Sequence, residues 1–432
     1  MALTEISEVA RLGHEALLDF GIDSPQPGDA IPGYGLDLRG WALGREHRAT
    51  AVELVQDGVL LRRLPQDVAR ADLAELYPEA PGVDAGGFFA SIGVLNLRPS
   101  FELLVRVRLE DKTRAPLATI RGTRGELHTA FEPRIQPLML TTLGRTGSTA
   151  VVRLLGSHPE VVAYRPFEYE PRVATYWMGV LKGLAEPGSY RRQIAPAGPI
   201  DGAWWLGAEP PSPRPIKDPP VQAWLAGQGV EDLAAFCQHR VEDLYLQIAK
   251  VTDQPRAAYF VEKFRPDAVP ALVSELYPEA REIVLVRDFR DMLASMFAYN
   301  EKRGIQGFRR DHAETDADYV MERIRGSVGA LVSAWESRKE HAHLLRYEDL
   351  VLRPTETVEA LLEHLSLDAG ASTVEAMLAS IATPETEGHR TVADPRQTIG
   401  RWRKDLTPEL QAVCSEALGP SLQALGYTDD GA

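Results

Sequence analysis

Two textures in one chain predict an α/β protein: a P-loop-like parallel sheet flanked by helices, preceded by an antiparallel, sandwich-like β domain. Three observations carry this reading. Before residue 135, apolar and polar residues alternate around turn signals, as in "ATAVELVQDGVLLRRL" and "SFELLVRVRLEDKT", the period of strands with one face in solvent. After it, short apolar runs ("PLMLTTLG", "AAYFVEKF", "EIVLVRD", "HAHLLRYED") alternate with long helical patterns, as strands covered on both faces do. The first of these runs passes into a helix through "GRTGST", where backbone amides without intrahelical partners can hold an anion.

Taken in order, residues 1 to about 25 show a mixed helical period, which "DSPQPGDAIPGYG" breaks. The antiparallel domain then runs to about 135, and "RGTRGELHTAFEPR" closes it. The expected division is 1–135 for this accessory domain and 136–432 for the α/β domain, with a less regular acceptor-side insert at about 172–256 around "EPPSPRPIKDPP". A chain of 432 residues suits two or three domains. No internal repeat is visible.

Composition narrows function. A formal net charge of −15 opposes broad binding to nucleic acid or anionic membrane. Two distant cysteines, Cys237 and Cys414, suit buried thiols in a reducing compartment better than a disulfide framework. No apolar run approaches the ~20 residues of a transmembrane helix, and the N-terminus lacks the layout of a signal peptide. Cytoplasmic residence is the expectation.

In open parallel sheets ligands bind beyond the carboxyl ends of the strands, so the residues after each run matter most. In "GRTGST" (144–149), Gly144 and Gly147 permit a tight turn, Ser148 and Thr149 can cap the helix and bind oxygens, and Arg145 brings charge. A well-capped turn with no ligand is the alternative. The lysine of a Walker A loop is absent. "YFVEKF" ends on Glu262 and Lys263; Lys263 either lies on the surface or, aimed at the same mouth, neutralises a departing oxyanion. "EIVLVRD" delivers Arg287, and Ser295 follows eight residues later, a little over two helical turns. "TIGRWRKDL" (398–406) sets Arg401 and Arg403 beside Trp402, either a solvated face or a phosphate clamp with a stacking ring.

Together these segments resemble the sulfotransferases that use 3′-phosphoadenosine 5′-phosphosulfate (PAPS). "GRTGSTAVVRLLGSHPEV" is similar to that family's 5′-phosphosulfate loop, with Arg145 where lysine often stands, and "VRDFRDMLASMF" is similar to its 3′-phosphate segment. "LLRYEDLVLRP" and "IGRWRKDL" are similar to its later blocks. The likeness spans 136–428, leaves out the N-terminal domain, and is closest in motif style to the carbohydrate, Golgi-type enzymes, with bacterial members among those that carry appended domains.

The resemblance implies in-line sulfuryl transfer from PAPS to a hydroxyl or amine of a carbohydrate or other small acceptor, leaving 3′-phosphoadenosine 5′-phosphate (PAP). Arg145, Thr146, Gly147, Ser148 and Thr149 would hold the 5′-phosphosulfate. Arg287, Ser295 and Arg401 would hold the 3′-phosphate, Tyr347 would flank the adenine, and Lys263 would meet the leaving oxygen. Glu168, or else Glu170, in "YRPFEYEPR" would be the base; either carboxylate could instead pair with Arg165 or Arg172. No metal is expected, and no histidine matches the base of the cytosolic steroid and phenol enzymes. Tyr176, Trp177, Trp204 and Trp205 with Arg191 and Arg192 suit a glycan, or form a small core of their own. The expected partner is a small-molecule or glycan acceptor; a homodimer is left open. The competing readings are a nucleotide-dependent kinase and a glycan-binding adaptor with an inactive transferase domain.

Overall fold

The computed structural model describes residues 3–164, 172–185, 218–381 and 394–428. By contact the chain divides into two units, Met1–Phe131 with Tyr176–Arg240, and Glu132–Thr175 with Val241–Ala432.

Among the described residues the first unit holds nine strands: β1 Leu3–Arg11, β2 Leu17–Ser24, β3 Ala30–Pro32, β4 Gly35–Gly44, β5 Ala49–Gln56, β6 Val59–Pro65, β7 Gly87–Gly93, β8 Ser100–Leu109 and β9 Arg114–Arg124. They form two antiparallel sheets, β3-β1-β9-β8-β5-β6 and β2-β4-β7. Alternation decides which face is inside. On β8, Phe101, Leu103, Val105, Val107 and Leu109 are buried while the residues between them are not.

The helical period expected over residues 1–25 is corrected here, since β1 and β2 occupy that stretch. "LTEISEVAR" fits both periods, and pairing with β9 from Thr4↔Arg124 to Arg11↔Ala118 gives its backbone the partners that select the strand. Within the expected insert lie the helices Val173–Leu184 and Gly229–Val251, and Gln238 on the latter accepts a 2.6 Å hydrogen bond from Thr129 within the first unit.

The second unit is built on five parallel strands: β10 Gln136–Thr142, β11 Val161–Val162, β12 Tyr259–Phe264, β13 Arg281–Val286 and β14 Ala342–Arg346, in the order β11-β12-β10-β13-β14. Helices cover both faces. One core packs β10, β12 and β13 against the helices Ser148–Leu155 and Pro354–Leu365; another packs β13 against Phe289–Arg303 and Pro408–Ala424. β10 enters the middle of the sheet, β11 and β12 lie to one side, and β13 and β14 to the other. The strand order therefore reverses between β10 and β13, where such sheets open a crevice. Among the described residues no helix is long and apolar enough to cross a membrane.

Candidate active site

The loop after β10 is shaped by its own hydroxyls. Thr142 and Thr146 share a 2.6 Å hydroxyl contact, Thr142 donates to the Leu285 carbonyl at 2.9 Å, and Thr146 donates to the Leu143 carbonyl at 2.9 Å. Thr146 is fully buried, so its hydroxyl holds the loop. Arg145 (φ 67°) and Gly147 (φ 92°) are left-handed. Glycine is required at 147, because a Cβ there would stand 2.5 Å from the Tyr347 ring. The capping expected of Ser148 and Thr149 is corrected: Gly147 is the N-cap, and those two are the first helical residues of Ser148–Leu155. Their amides have no carbonyl four residues back within the helix.

β12 pairs in parallel with β10, matching Lys263 to Leu140. Lys263 is buried, and its Nζ donates to Thr149 Oγ1 at 2.9 Å. The surface placement of Lys263 is thereby excluded. Glu262 takes different partners. Its carboxylate accepts from Val173 N at 2.7 Å, from Ala174 N at 2.9 Å and from the Tyr245 hydroxyl. Burial pushes its pKa up to about 7, against the opposing pull of these donors.

The residue after β13 crosses the crevice. Arg287 donates from Nη1 to the Arg145 carbonyl at 3.2 Å and from Nη2 to the Thr398 carbonyl at 2.8 Å, and its guanidinium lies 4.7 Å from the centre of the Tyr347 ring. Thr398 Oγ1 donates to the Tyr347 hydroxyl at 3.2 Å. Ser295 meets Arg145, which donates from Nε to Ser295 Oγ at 3.2 Å while its guanidinium lies 4.6 Å from the Tyr299 ring centre. Burial first, then the charges of Arg287 and Arg401, lower the Arg145 pKa. Three arginines held against their mutual repulsion mark a place prepared for negative charge. The buried Arg287 Nε has no hydrogen-bond partner among the described residues.

Tyr347 opens the helix Tyr347–Leu352, so the alternative to its place beside the adenine, a core tyrosine on a buried strand, is corrected. Its ring forms a wall between Gly147 and Arg287. Arg401 ties to Asp405 at 2.6 Å within its own turn. Trp402 is not an open stacking platform: it is buried, with Arg290 at 4.1 Å and Arg403 at 4.4 Å from its ring centre.

The sequence reading missed the carboxylates behind the site. Asp291 accepts from Gly400 N at 2.7 Å and Trp402 N at 2.9 Å, fixing the segment that carries Thr398 and Arg401, and burial lifts its pKa to about 6. Glu348 accepts from Asp288 N at 2.9 Å and the Tyr427 hydroxyl at 2.8 Å, holding the turn after Arg287. The available signal was the acid-rich "RDFRD" directly after an apolar run. Glu168, Glu170, Arg165, Arg191, Arg192, Trp204 and Trp205 lie outside the described residues. Tyr176 and Trp177 pack edge to face with each other at 5.4 Å, and Trp177 with Phe236 at 5.8 Å. Among the described residues no group of three or more His, Cys, Asp or Glu is placed to hold a metal ion.

A parallel sheet flanked by helices, with a glycine turn, a buried lysine and two arginines at its carboxyl end, defines an α/β domain. The chain belongs to the sulfotransferase family, whose model matches residues 137–370. Solved structures show weaker likeness. A mouse sulfotransferase complexed with PAP is 13% identical with a TM-score of 0.37, over 68% of this chain and 86% of its own. A sulfotransferase from Mycobacterium avium is 16% identical with a TM-score of 0.35, over 67% and 77%. The sulfotransferase domain of the Synechococcus olefin synthase is 15% identical with a TM-score of 0.37, over 70% and 99%. No curated protein matches the chain.

Proposed function

We propose that this sulfotransferase moves a sulfuryl group from PAPS to a hydroxyl or amine of a carbohydrate or other small natural-product acceptor, releasing PAP. The observation that carries the reading is the convergence on the turn and helix start 143–149, where Lys263 bonds Thr149, Arg287 bonds the Arg145 carbonyl and Arg145 bonds Ser295.

Bound PAPS supplies an activated sulfuryl group on a phosphate leaving group. The amides of Ser148 and Thr149 face its 5′ end with the positive pole of the helix behind them. Lys263, already bonded to Thr149, neutralises the bridging oxygen as charge develops there. Arg145, with the loop that carries it, receives the 5′-phosphosulfate, and Arg287, Ser295 and Arg401 receive the 3′-phosphate. Tyr347 keeps Arg287 in place. Glu168 is the first choice of base and Glu170 the second, on the strength of the family resemblance; the base takes the acceptor proton as the nucleophile approaches in line. These cations supply countercharge, and the reaction proceeds without a divalent metal. The sugar acceptor rests on motif style, and cytoplasmic action on the free, buried thiols of Cys237 and Cys414.

Thermal melts with PAP and with ATP plus magnesium test the reading, since a ligand selective for the folded state raises its stability. Stabilisation by PAP alone is expected; stabilisation by ATP with magnesium and none by PAP turns the assignment to a kinase. Labelled sulfate should pass from PAPS to an acceptor panel in the presence of a chelator, and Lys263→Ala should slow this by about 100-fold or more. Wild-type protein that binds PAP yet transfers nothing across the panel favours the adaptor.

A further inference from the structure

The outer face of the six-stranded sheet carries a charge arrangement that sulfuryl transfer does not use. Glu53 lies on β5 between Val52 and Leu54, both buried on the inner side. By the pleat Glu53 belongs to the outer face, yet its side chain is 0% exposed because three arginines close over it. Arg63 of β6 reaches it at 2.6 Å, Arg106 of β8 at 2.8 Å and Arg114 of β9 at 3.3 Å. Register explains the fan, because Arg63 and Arg106 stand directly across from Glu53 on its two neighbouring strands. Arg108 is opposite Arg114 on the same face.

The local balance departs from the rest of the domain. Arg121 on this sheet has two carboxylates, Glu8 and Glu102. Arg70 also has two, Asp23 and Asp72, while Arg11 and Arg98 have Asp19 and Asp57. Arg63, Arg106 and Arg114 share one. In a chain of net charge −15, one buried carboxylate under three guanidiniums leaves a local excess of positive charge. The guanidiniums remain accessible, with side chains 46%, 27% and 44% exposed. With Glu53 on β5 between them, the three arginines lie on β9, β8 and β6 of the consecutive strands β9-β8-β5-β6, a row of about 15 Å at the usual strand spacing.

We propose that this row is a binding surface for an anionic glycan, a linear sugar chain bearing sulfate or carboxylate groups and running across the strands. Glu53 pre-spaces the guanidiniums, so little side-chain freedom is lost on binding. Each exposed fork is suited to a planar carboxylate or a sulfate. The neighbours on the outer face, Leu104 and Pro116, are aliphatic and offer no stacking surface to the bases of a single-stranded nucleic acid. The inference stands apart from the transfer reaction and is tested without donor.

Full-length protein is titrated with dextran sulfate, polygalacturonate, uncharged dextran and single-stranded oligothymidine at about 50 and 200 mM salt, within the range over which ionic contacts weaken. Salt-sensitive binding to one or both charged polysaccharides, and none to dextran, is expected; preference between sulfate and carboxylate identifies the group recognised. The double variant Arg63→Gln/Arg114→Gln leaves Arg106 on Glu53 and should weaken that binding about tenfold or more. Sulfate transfer to a small acceptor should be unchanged. Arg63→Lys/Arg114→Lys, which keeps the charge, should retain most of the affinity, so a misfolded glutamine variant does not decide the matter. Arg121→Gln, which breaks an arginine already paired with two acids, should bind as the wild type does. The proposal is overturned by wild-type protein indifferent to both polyanions, by the glutamine and lysine variants binding as well as the wild type, or by tighter binding of oligothymidine.

Discussion

Replacing Glu262 by glutamine removes a buried carboxyl whose proton is held to about pH 7 by burial. The wild-type group has an ordinary value of 4.5. Below that, folded and unfolded chains are both protonated and the group has no differential effect. Between 4.5 and about 7 the unfolded chain loses the proton while the folded one keeps it, so stability falls as pH rises. Above about 7 the loss is complete, at about 3 kcal/mol. Glutamine does not titrate. In its protonated form Glu262 already turns an O–H toward these groups, of which the Tyr245 hydroxyl can accept it, and the glutamine NH₂ takes the same place. Glu262→Gln should therefore lie close to wild type at pH 5 and above it by up to about 3 kcal/mol at pH 8. Urea midpoints for both proteins at pH 5, 6, 7 and 8 measure this directly. Parallel curves, with a constant gap across the range, would refute the reasoning and return Glu262 to an ionised helix cap.

Arg287→Ala should weaken PAP binding about 10- to 100-fold in calorimetry, the scale of a charged hydrogen bond; unchanged affinity removes Arg287 from the donor site. Gly147→Ala forces an L-residue into φ 92° with its Cβ 2.5 Å from Tyr347. It should destabilise the protein by about 1 to 3 kcal/mol and weaken PAP binding with it, and a wild-type melt with wild-type affinity would show that the loop tolerates a side chain there.

Much of the site could be read locally. Gly144 to Thr149 lie in one stretch after an apolar run, and Lys263 and Arg287 each end or follow another, so the rule that ligands gather at strand carboxyl ends was enough to nominate them. Partnerships were a different matter. Ser295 was matched to Arg287 by helical spacing, but it bonds Arg145, 150 positions away in the chain. Trp402 looked available because its neighbours are basic, and one of them, Arg403, lies over its ring with Arg290. Asp291 and Glu348 escaped notice because a carboxylate that holds backbone amides has no periodicity of its own.

Local pattern alone determined that a parallel sheet follows an antiparallel region, and that a glycine turn opens a helix behind the first parallel strand. Residue period and turn chemistry are short-range properties, written within a few positions. Tertiary structure decided that β1 is a strand, that Arg145 faces Ser295 across the crevice, and that one buried glutamate gathers three arginines on the six-stranded antiparallel sheet. Each of these depends on which strand lies beside which, and strand order follows from burying both faces of a sheet at once.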